Sequence, residues 1–152
     1  MTSPRLAWTK LAPKPYQAMI GVSASISKST LGAKLIELVQ TRISQINGCA
    51  FCLDMHARDL RRLGENWQRI NSVATWRETG FYDERERAAL AWAEALTRVS
   101  HPHGDHDSAF EVLKAQFDEQ EIVELSWAIA NINAWNRMAI GMKAPPSTEP
   151  LN

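Results

Sequence analysis

The chain has 152 residues, 45% of them hydrophobic and 22% charged, and its 17 basic side chains balance 17 acidic ones. This length and composition are typical of one globular domain with a substantial core, and a net charge of zero offers no basic face for nucleic acid. The sequence has neither an apolar run near the roughly 20 residues that span a bilayer nor an apolar leader. We therefore expect no membrane segment and a cytoplasmic location.

Apolar residues recur at helical spacing along most of the chain, and no segment alternates as a strand does. The sequence therefore predicts an all-α fold, a single-domain bundle of about six to seven helices. Prolines are concentrated near both ends, so we expect a core of about residues 14–142 between loose tails at 1–13 and 143–152. The predicted helices cover, in chain order, about 15–25, 30–46, 49–64, 65–78, 83–99, 107–116 and 118–142.

The second predicted helix has one apolar arc and one polar side. Glu37, Thr41 and Ser44 fall on the polar side, where a carboxylate such as Glu37 is ordinarily a solvated surface group. Arg42 falls inside the apolar arc and needs a carboxylate or several carbonyls if it is buried. The sequence leaves open whether that partner lies within a functional site or across a subunit boundary.

The last predicted helix begins at a capping box formed by Asp118 and Glu121. Most of its apolar residues share one arc, but Trp127 and Met138 lie well round from it. A helix that is apolar on two sides is either central in the domain or half of a subunit interface.

Two groups of polar residues are expected to be structural. Asn133 and Asn136 lie on the apolar arc of the last helix and need hydrogen-bond partners there. His101, His103 and His106 fall in a predicted loop at 100–107, and their spacing is not a strong metal-ligand pattern. We expect these three histidines to be surface residues.

The chemically informative segment holds both cysteines of the chain, Cys49 and Cys52, followed by His56. At helical spacing the three side chains lie within about 60° of one another, while Phe51 points to the opposite side. The positive end of a helix favours a thiolate, and a neighbouring imidazole can activate a sulfur nucleophile. The spacing therefore indicates redox chemistry at a helix N-terminus.

Three other interpretations compete with redox chemistry. A purely structural disulfide would close a very short loop and stabilise little. Attachment of a c-type haem needs histidine directly after the second cysteine, where this chain has Leu53. Zinc could take Cys49, Cys52 and His56 as ligands, with Glu37 or a loop histidine as the fourth. Redox chemistry is favoured, and we expect no cofactor and no metal.

The spacing of Glu37, Cys49, Cys52 and His56 resembles the Glu…Cys-x-x-Cys-x-x-x-His motif of the alkylhydroperoxidase AhpD family. This family belongs to the carboxymuconolactone decarboxylase-like superfamily. The resemblance extends over about residues 6–142, and four further segments carry it: 35–39, 42–49, 86–90 and 132–137.

The resemblance implies an all-helical peroxidase that cycles between a vicinal dithiol and a disulfide. Cys52 would be the peroxidatic cysteine and Cys49 the resolving one, with His56 deprotonating Cys52 and Glu37 orienting His56 or relaying its protons. A hydroperoxide would be the substrate, and an external dithiol or protein reductant would arrive at the exposed sulfur. Such proteins assemble as dimers, trimers or hexamers. Phe51 is a departure, because well-studied members carry a histidine there that could move a second proton.

Two other functions stay open. The superfamily name suggests decarboxylation of a lactone acid, in which a vicinal dithiol has no evident role. A non-catalytic zinc-binding or redox-sensing interaction module is the alternative from a different class.

Overall fold

The computed structural model describes residues 3–101 and 106–151. Those residues form eight α-helices and one 3-10 helix and contain no strand, which confirms the predicted all-α class. None of the described helices is both long and apolar enough to cross a membrane. The helices are α1 (Trp8–Leu11), α2 (Pro13–Ile26), α3 (Ala33–Asn47), α4 (Ala50–Arg62), α5 (Trp67–Ser72), the 3-10 helix (Val73–Glu78), α6 (Glu84–Thr97), α7 (His106–Lys114) and α8 (Glu119–Met142).

The helices outnumber the six to seven predicted, for two local reasons. The predicted helix at 65–78 is split into α5 and the 3-10 helix, and Thr75 departs from helical geometry at φ −119° and ψ 29°. The short helix α1 lies in a segment expected to be a loose tail. His106 begins α7 and does not belong to a loop, while His103 lies outside the described residues.

Local signals set several helix ends. Pro13 occupies the first turn of α2, where its missing N–H costs no hydrogen bond. Reciprocal capping boxes begin α6, through Asp83 and Glu86, and α8, through Asp118 and Glu121. The second of these boxes was predicted from the sequence and is confirmed.

The centre of the bundle is α3, which packs against α4, α6 and α8. Thr41 and Ser44 lie on the polar side of this helix and are nevertheless fully buried. Their hydroxyls can be buried because each has a hydrogen-bond partner. The Thr41 hydroxyl donates to the Glu37 carbonyl at 2.7 Å, and the Asn136 amide donates to the Ser44 hydroxyl at 3.2 Å.

Three asparagines tie α3 to α8. The Asn47 side-chain amide donates to the Asn133 and Asn136 side-chain oxygens at 2.9 and 2.8 Å. Asn133 in turn donates to the Thr97 hydroxyl at 3.0 Å. The expectation of structural amides in a helix contact is confirmed, since each buried amide has partners.

Both segments next to the chain ends contact the bundle. The Arg5 N–H donates to the Met142 carbonyl at 2.9 Å, and Trp8 packs among aromatic rings described below. On the other side, the Ser147 N–H donates to the Asp54 carboxylate at 3.2 Å. These contacts differ from the loose tails that the prolines predicted.

Arg42 pairs with Glu94 on α6 at 2.7 Å, so its partner lies in the same chain and outside the cysteine site. The buried Glu94 carboxylate also accepts from the Trp76 indole at 3.0 Å and from Arg77 at 2.6 Å, and Arg98 lies 3.5 Å away. Burial alone would raise the pKa of Glu94, but hydrogen bonds from Arg77, Trp76 and Arg42 together outweigh it and hold the pKa below its ordinary value. We call this group the Glu94 cluster.

Candidate active site

The two cysteines lie where α3 ends and α4 begins. Gly48 closes α3 in the left-handed conformation at φ 70°, which a residue with a side chain adopts only under strain. Cys49 then caps α4, and its sulfur accepts a hydrogen bond from the Cys52 N–H at 3.3 Å. Cys49 and Cys52 are joined in a disulfide with their Cα atoms 5.4 Å apart. The predicted Cys-x-x-Cys at a helix N-terminus is confirmed.

The two cysteines are both buried but differ in their access to a cavity. Cys49 is 1% exposed and Cys52 is 2% exposed, so neither reaches the outer surface. Cys52 nevertheless lines a cavity of about 500 Å³, and Cys49 does not. The expectation of an exposed sulfur therefore needs correction, because both cysteines are buried and Cys52 is the one that lines the cavity.

Glu37 on α3 and His56 on α4 form one hydrogen-bonded pair beside this cavity. The His56 Nδ1 and Glu37 Oε2 atoms are 2.7 Å apart, and both side chains line the same cavity as Cys52. A neutral imidazole that donates from Nδ1 to a carboxylate keeps a lone pair on Nε2. His56 Nε2 is buried and has no hydrogen-bond partner among the described residues. The structure thus brings together Glu37, Cys52 and His56 at one cavity, with Cys49 behind Cys52.

Aromatic side chains from three helices form one wall of the cavity. Trp8 of α1, Tyr16 of α2 and Trp135 of α8 meet edge to face, with ring centroids 5.5, 5.7 and 6.2 Å apart. Such packing holds large apolar rings in fixed positions. The cavity thus combines an aromatic wall with polar lining residues, among them Glu37, His56 and Asp59.

Phe51 lies at the same cavity, although the sequence placed it on the opposite side of the helix from the sulfurs. It follows Cys49 by two positions in the first turn of α4, so its ring reaches the edge of a cavity this wide. Phe51 and Met55 are both partly exposed and line the cavity. A large apolar ring thus stands between the cysteines in the sequence, where a histidine would offer a proton.

Asp59 is a polar residue of the cavity that sequence reasoning missed. It lies three positions after His56, a spacing that puts both residues on one face of a helix and could have revealed it. Glu37, His56 and Asp59 each bring a donor atom within 4.8 Å of the others, so these three could hold a metal ion. The zinc site considered from the sequence is different, because here the two sulfurs bond to each other and neither is a free thiolate.

Two histidines of the segment predicted as a loop, His101 and His106, lie within the described residues. His101 is exposed, as expected, and His106 Nε2 bonds the Ala95 carbonyl at 3.1 Å. Neither of them lines the cavity of Cys52.

Residues 13–95, which contain all four residues of the Glu37–His56 motif, match the carboxymuconolactone decarboxylase family. The match covers more than half of the chain, and the chain belongs to this family.

Relatives and a solved structure extend the match to almost the whole chain. It is 36% identical over 140 residues to the uncharacterized protein YdfG of Bacillus subtilis, covering 92% of this chain and 95% of YdfG. It is 32% identical over 118 residues to the uncharacterized protein YnjA of Escherichia coli, covering 78% of this chain and 64% of YnjA.

The crystal structure of a protein of unknown function from Agrobacterium tumefaciens, regarded as a candidate AhpD antioxidant defence protein, is 39% identical to this chain. Its TM-score is 0.92 over 97% of this chain and 100% of that one. These likenesses confirm the resemblance to AhpD proteins and the AhpD-like all-α fold.

Proposed function

We propose that this protein is a thiol-dependent peroxidase that reduces hydroperoxides through a Cys52/Cys49 dithiol–disulfide cycle. The observation that carries the proposal is Cys52 at the wall of a cavity that it shares with the hydrogen-bonded Glu37–His56 pair. A sulfur nucleophile, a base and an orienting carboxylate are the groups that activation of a thiol requires.

The base in this proposal is His56. Its Nδ1–H donates to Glu37, which fixes the tautomer and leaves Nε2 to accept the proton of the Cys52 thiol. Glu37 then stabilises the imidazolium that forms. The N-terminal end of α4 stabilises the thiolate, because Cys52 lies in the first turn of that helix.

The oxidative half of the cycle balances as follows. The Cys52 thiolate attacks one oxygen of the hydroperoxide, the O–O bond breaks, and Cys52 becomes a sulfenic acid. The leaving alkoxide takes the proton from the His56 imidazolium and departs as an alcohol. The Cys49 thiol then condenses with the sulfenic acid, which forms the disulfide and releases water.

The reductive half begins at Cys52, because Cys52 is the sulfur that lines the cavity. A thiolate of an external dithiol attacks the Cys52 sulfur and releases Cys49 as a thiolate, which takes a proton. The second thiol of the reductant then displaces Cys52 and leaves as a disulfide. The depth of both sulfurs favours a reductant whose thiols sit on a narrow arm, either a small dithiol or an extended arm on a protein.

The test is consumption of cumene hydroperoxide with dithiothreitol as the reductant, comparing the wild type with Cys52→Ser and Cys49→Ser. We expect the wild type to turn over repeatedly and Cys52→Ser to be inactive. Cys49→Ser should consume about one equivalent before it depends on slow direct reduction. Equal activity of Cys52→Ser and the wild type would refute the proposal.

One alternative has a specific observation in its favour, since the matched family takes its name from a decarboxylase. In that reaction the cavity would bind a lactone acid and the cysteines would be dispensable. Turnover of carboxymuconolactone by a Cys49→Ser, Cys52→Ser double variant would favour this function over the peroxidase. A lack of turnover by the same variant would count against it.

We also propose a cytoplasmic location and a homo-oligomer of two, three or six chains. A dithiol cycle needs a compartment that keeps thiols reduced. Several apolar side chains on α8 face outward, among them Val123, Met138 and Trp127, of which Trp127 is 62% exposed. Sedimentation at micromolar concentration should give a mass above 17.1 kDa, and a monomer would contradict the proposal.

A further inference from the structure

We propose that Asp59 is the outlet of the proton relay, the group through which Glu37 and His56 exchange protons with bulk solvent. This inference rests on the proposed thiol chemistry at Cys52 and adds a residue that the four-residue motif does not contain. Asp59 acts through the Glu37–His56 pair, so its role is to carry and position protons and not to touch the peroxide.

Geometry is the first support. His56 and Asp59 lie three positions apart on α4, and Glu37 reaches the same place from α3. Donor atoms of the three side chains all lie within 4.8 Å of one another, while His56 and Glu37 are in direct contact at 2.7 Å. A carboxylate at this separation can exchange protons with the pair through one water molecule.

A graded exposure is the second support. The His56 side chain is 6% exposed and that of Glu37 is 19% exposed. Exposure rises to 34% at Asp59 and 74% at Arg62, whose guanidinium bonds the Asp59 carboxylate at 2.6 Å. The four side chains therefore lead from the buried imidazole to solvent, with Asp59 as the first member that reaches it substantially.

The ionisable residues of the cavity leave few other routes. Among the described lining residues, the ionisable side chains are Tyr16, Cys52, Glu37, His56 and Asp59. Cys52 is the reacting atom, and Tyr16 packs against tryptophan rings. Among the described lining residues, Asp59 is thus the carboxylate besides Glu37, and it is the more exposed of the two.

The chemistry makes use of such an outlet. The cycle as a whole neither consumes nor releases protons, but the thiols of the reductant lose protons when they attack, while the Cys49 thiolate gains one, so protons are exchanged at different steps of the reduction. Glu37 holds the Nδ1 side of the imidazole, and Asp59 lies within 4.8 Å of the pair, where it can carry these protons between the site and solvent.

The test is chemical rescue of Asp59→Asn by a small buffer. Asp54→Asn is the matched control, because Asp54 also lies on α4 and also pairs with an arginine, Arg58 at 3.0 Å, but does not line the cavity. Turnover is measured at constant pH and ionic strength while imidazole is raised. Without added imidazole, we expect Asp59→Asn to turn over about 10-fold more slowly than the wild type. Its rate should rise with imidazole, whereas the rates of the wild type and Asp54→Asn should not.

A second readout separates this inference from the proposed function. The rate at which dithiothreitol reduces the Cys49–Cys52 disulfide needs no peroxide and is measured by acid quench and thiol alkylation. It should show the same imidazole dependence in Asp59→Asn even if hydroperoxides prove not to be substrates. An Asp59→Asn variant that is as fast as the wild type, or one that is slow at every imidazole concentration, would refute the assignment of Asp59 as the proton outlet.

Discussion

Two carboxylates tie the central helix α3 to its neighbours, and they differ in what surrounds them. Glu94 reaches from α6 to Arg42 and is also bonded by Trp76 and Arg77. Glu37 reaches from α3 to a single imidazole, His56, beside an open cavity. The first is bonded by guanidinium groups, which carry permanent positive charge, and the second has an imidazole as its partner, whose two nitrogens can act as proton donor and proton acceptor.

This difference separates a structural ion cluster from a chemical one. Guanidinium groups stay protonated throughout the working range of a protein, so the charge on Glu94 is fixed and its cluster holds helices together. A carboxylate–imidazole pair can pass a proton on without leaving a permanent charge uncompensated. Burial differs in the same direction, since the Glu94 side chain is 6% exposed and that of Glu37 is 19% exposed.

The largest expected effect is the loss of turnover when the imidazole of the Glu37–His56 pair is removed. In His56→Asn the side-chain amide can still donate to Glu37, but it cannot take a proton from Cys52. We expect peroxidase turnover to fall by about 10³-fold, while the free energy of unfolding in urea changes by only about 1 kcal/mol. The matched control is His106→Asn, which alters the bond to the Ala95 carbonyl and should leave turnover unchanged. Similar losses in both variants would contradict the assignment of His56 as the base.

The next largest expected effect is a loss of stability when the Glu94 carboxylate is replaced. Glu94→Gln leaves the largely buried Arg42 guanidinium without its counter-charge, so we expect the free energy of unfolding to fall by about 3 kcal/mol. Turnover per folded molecule should stay within about twofold, because the Glu94 cluster does not line the cavity. Glu111→Gln is the control, since its pair with Lys114 is exposed and should contribute at most about 1 kcal/mol. A stability unchanged in Glu94→Gln would contradict the structural role.

The pH dependence of that stability sharpens the same contrast. The pKa of Glu94 is lower in the folded protein than in the unfolded chain. Its stabilisation is therefore fully present above the ordinary glutamate pKa of about 4.3 and is lost as the pH falls through the lower folded value. The stability difference between wild type and Glu94→Gln should be flat from pH 7 to about 5 and should shrink below that. A stability difference that grows on acidification would contradict a Glu94 pKa that is lower in the folded protein than in the unfolded chain.

The smallest effect is expected at the exposed edge of the Glu94 cluster. The Arg77 side chain is 55% exposed and stacks 4.1 Å from the Trp76 ring centre. Arg77→Ala should therefore lower the free energy of unfolding by only about 1 kcal/mol. Arg42→Ala should cost more, because Arg42 is largely buried. Urea unfolding of both variants tests this order, and the reverse order would mean that exposure does not set the strength of these pairs.

The sequence predicted the parts of this structure that depend on local spacing. The helical class, the capping box of Asp118 and the placement of Cys49 and Cys52 at a helix N-terminus all follow from residues within a few positions of one another. Asp59 obeys the same local rule, at three residues from His56. It was overlooked because a carboxylate in a charged helix looks like a solvated surface residue.

The long-range features could not be predicted from local spacing. Glu94 lies 52 residues from Arg42 and outside its helix, so no local pattern joins them. Glu37 looked like a surface carboxylate by periodicity, and only the family resemblance indicated a partner for it. The burial of Thr41 and the contacts of the chain ends depend on tertiary packing, which composition and prolines do not report.

The central claim is that Cys52 is the sulfur that meets the peroxide, and trapping the sulfenic acid tests it most directly. Reduced Cys49→Ser and Cys52→Ser variants are treated with one equivalent of cumene hydroperoxide in the presence of dimedone, and the adducts are located by mass spectrometry. We expect a stoichiometric adduct on Cys52 in Cys49→Ser and little modification of Cys49 in Cys52→Ser. An adduct that forms at Cys49 as fast as at Cys52, or at neither residue, would contradict the account.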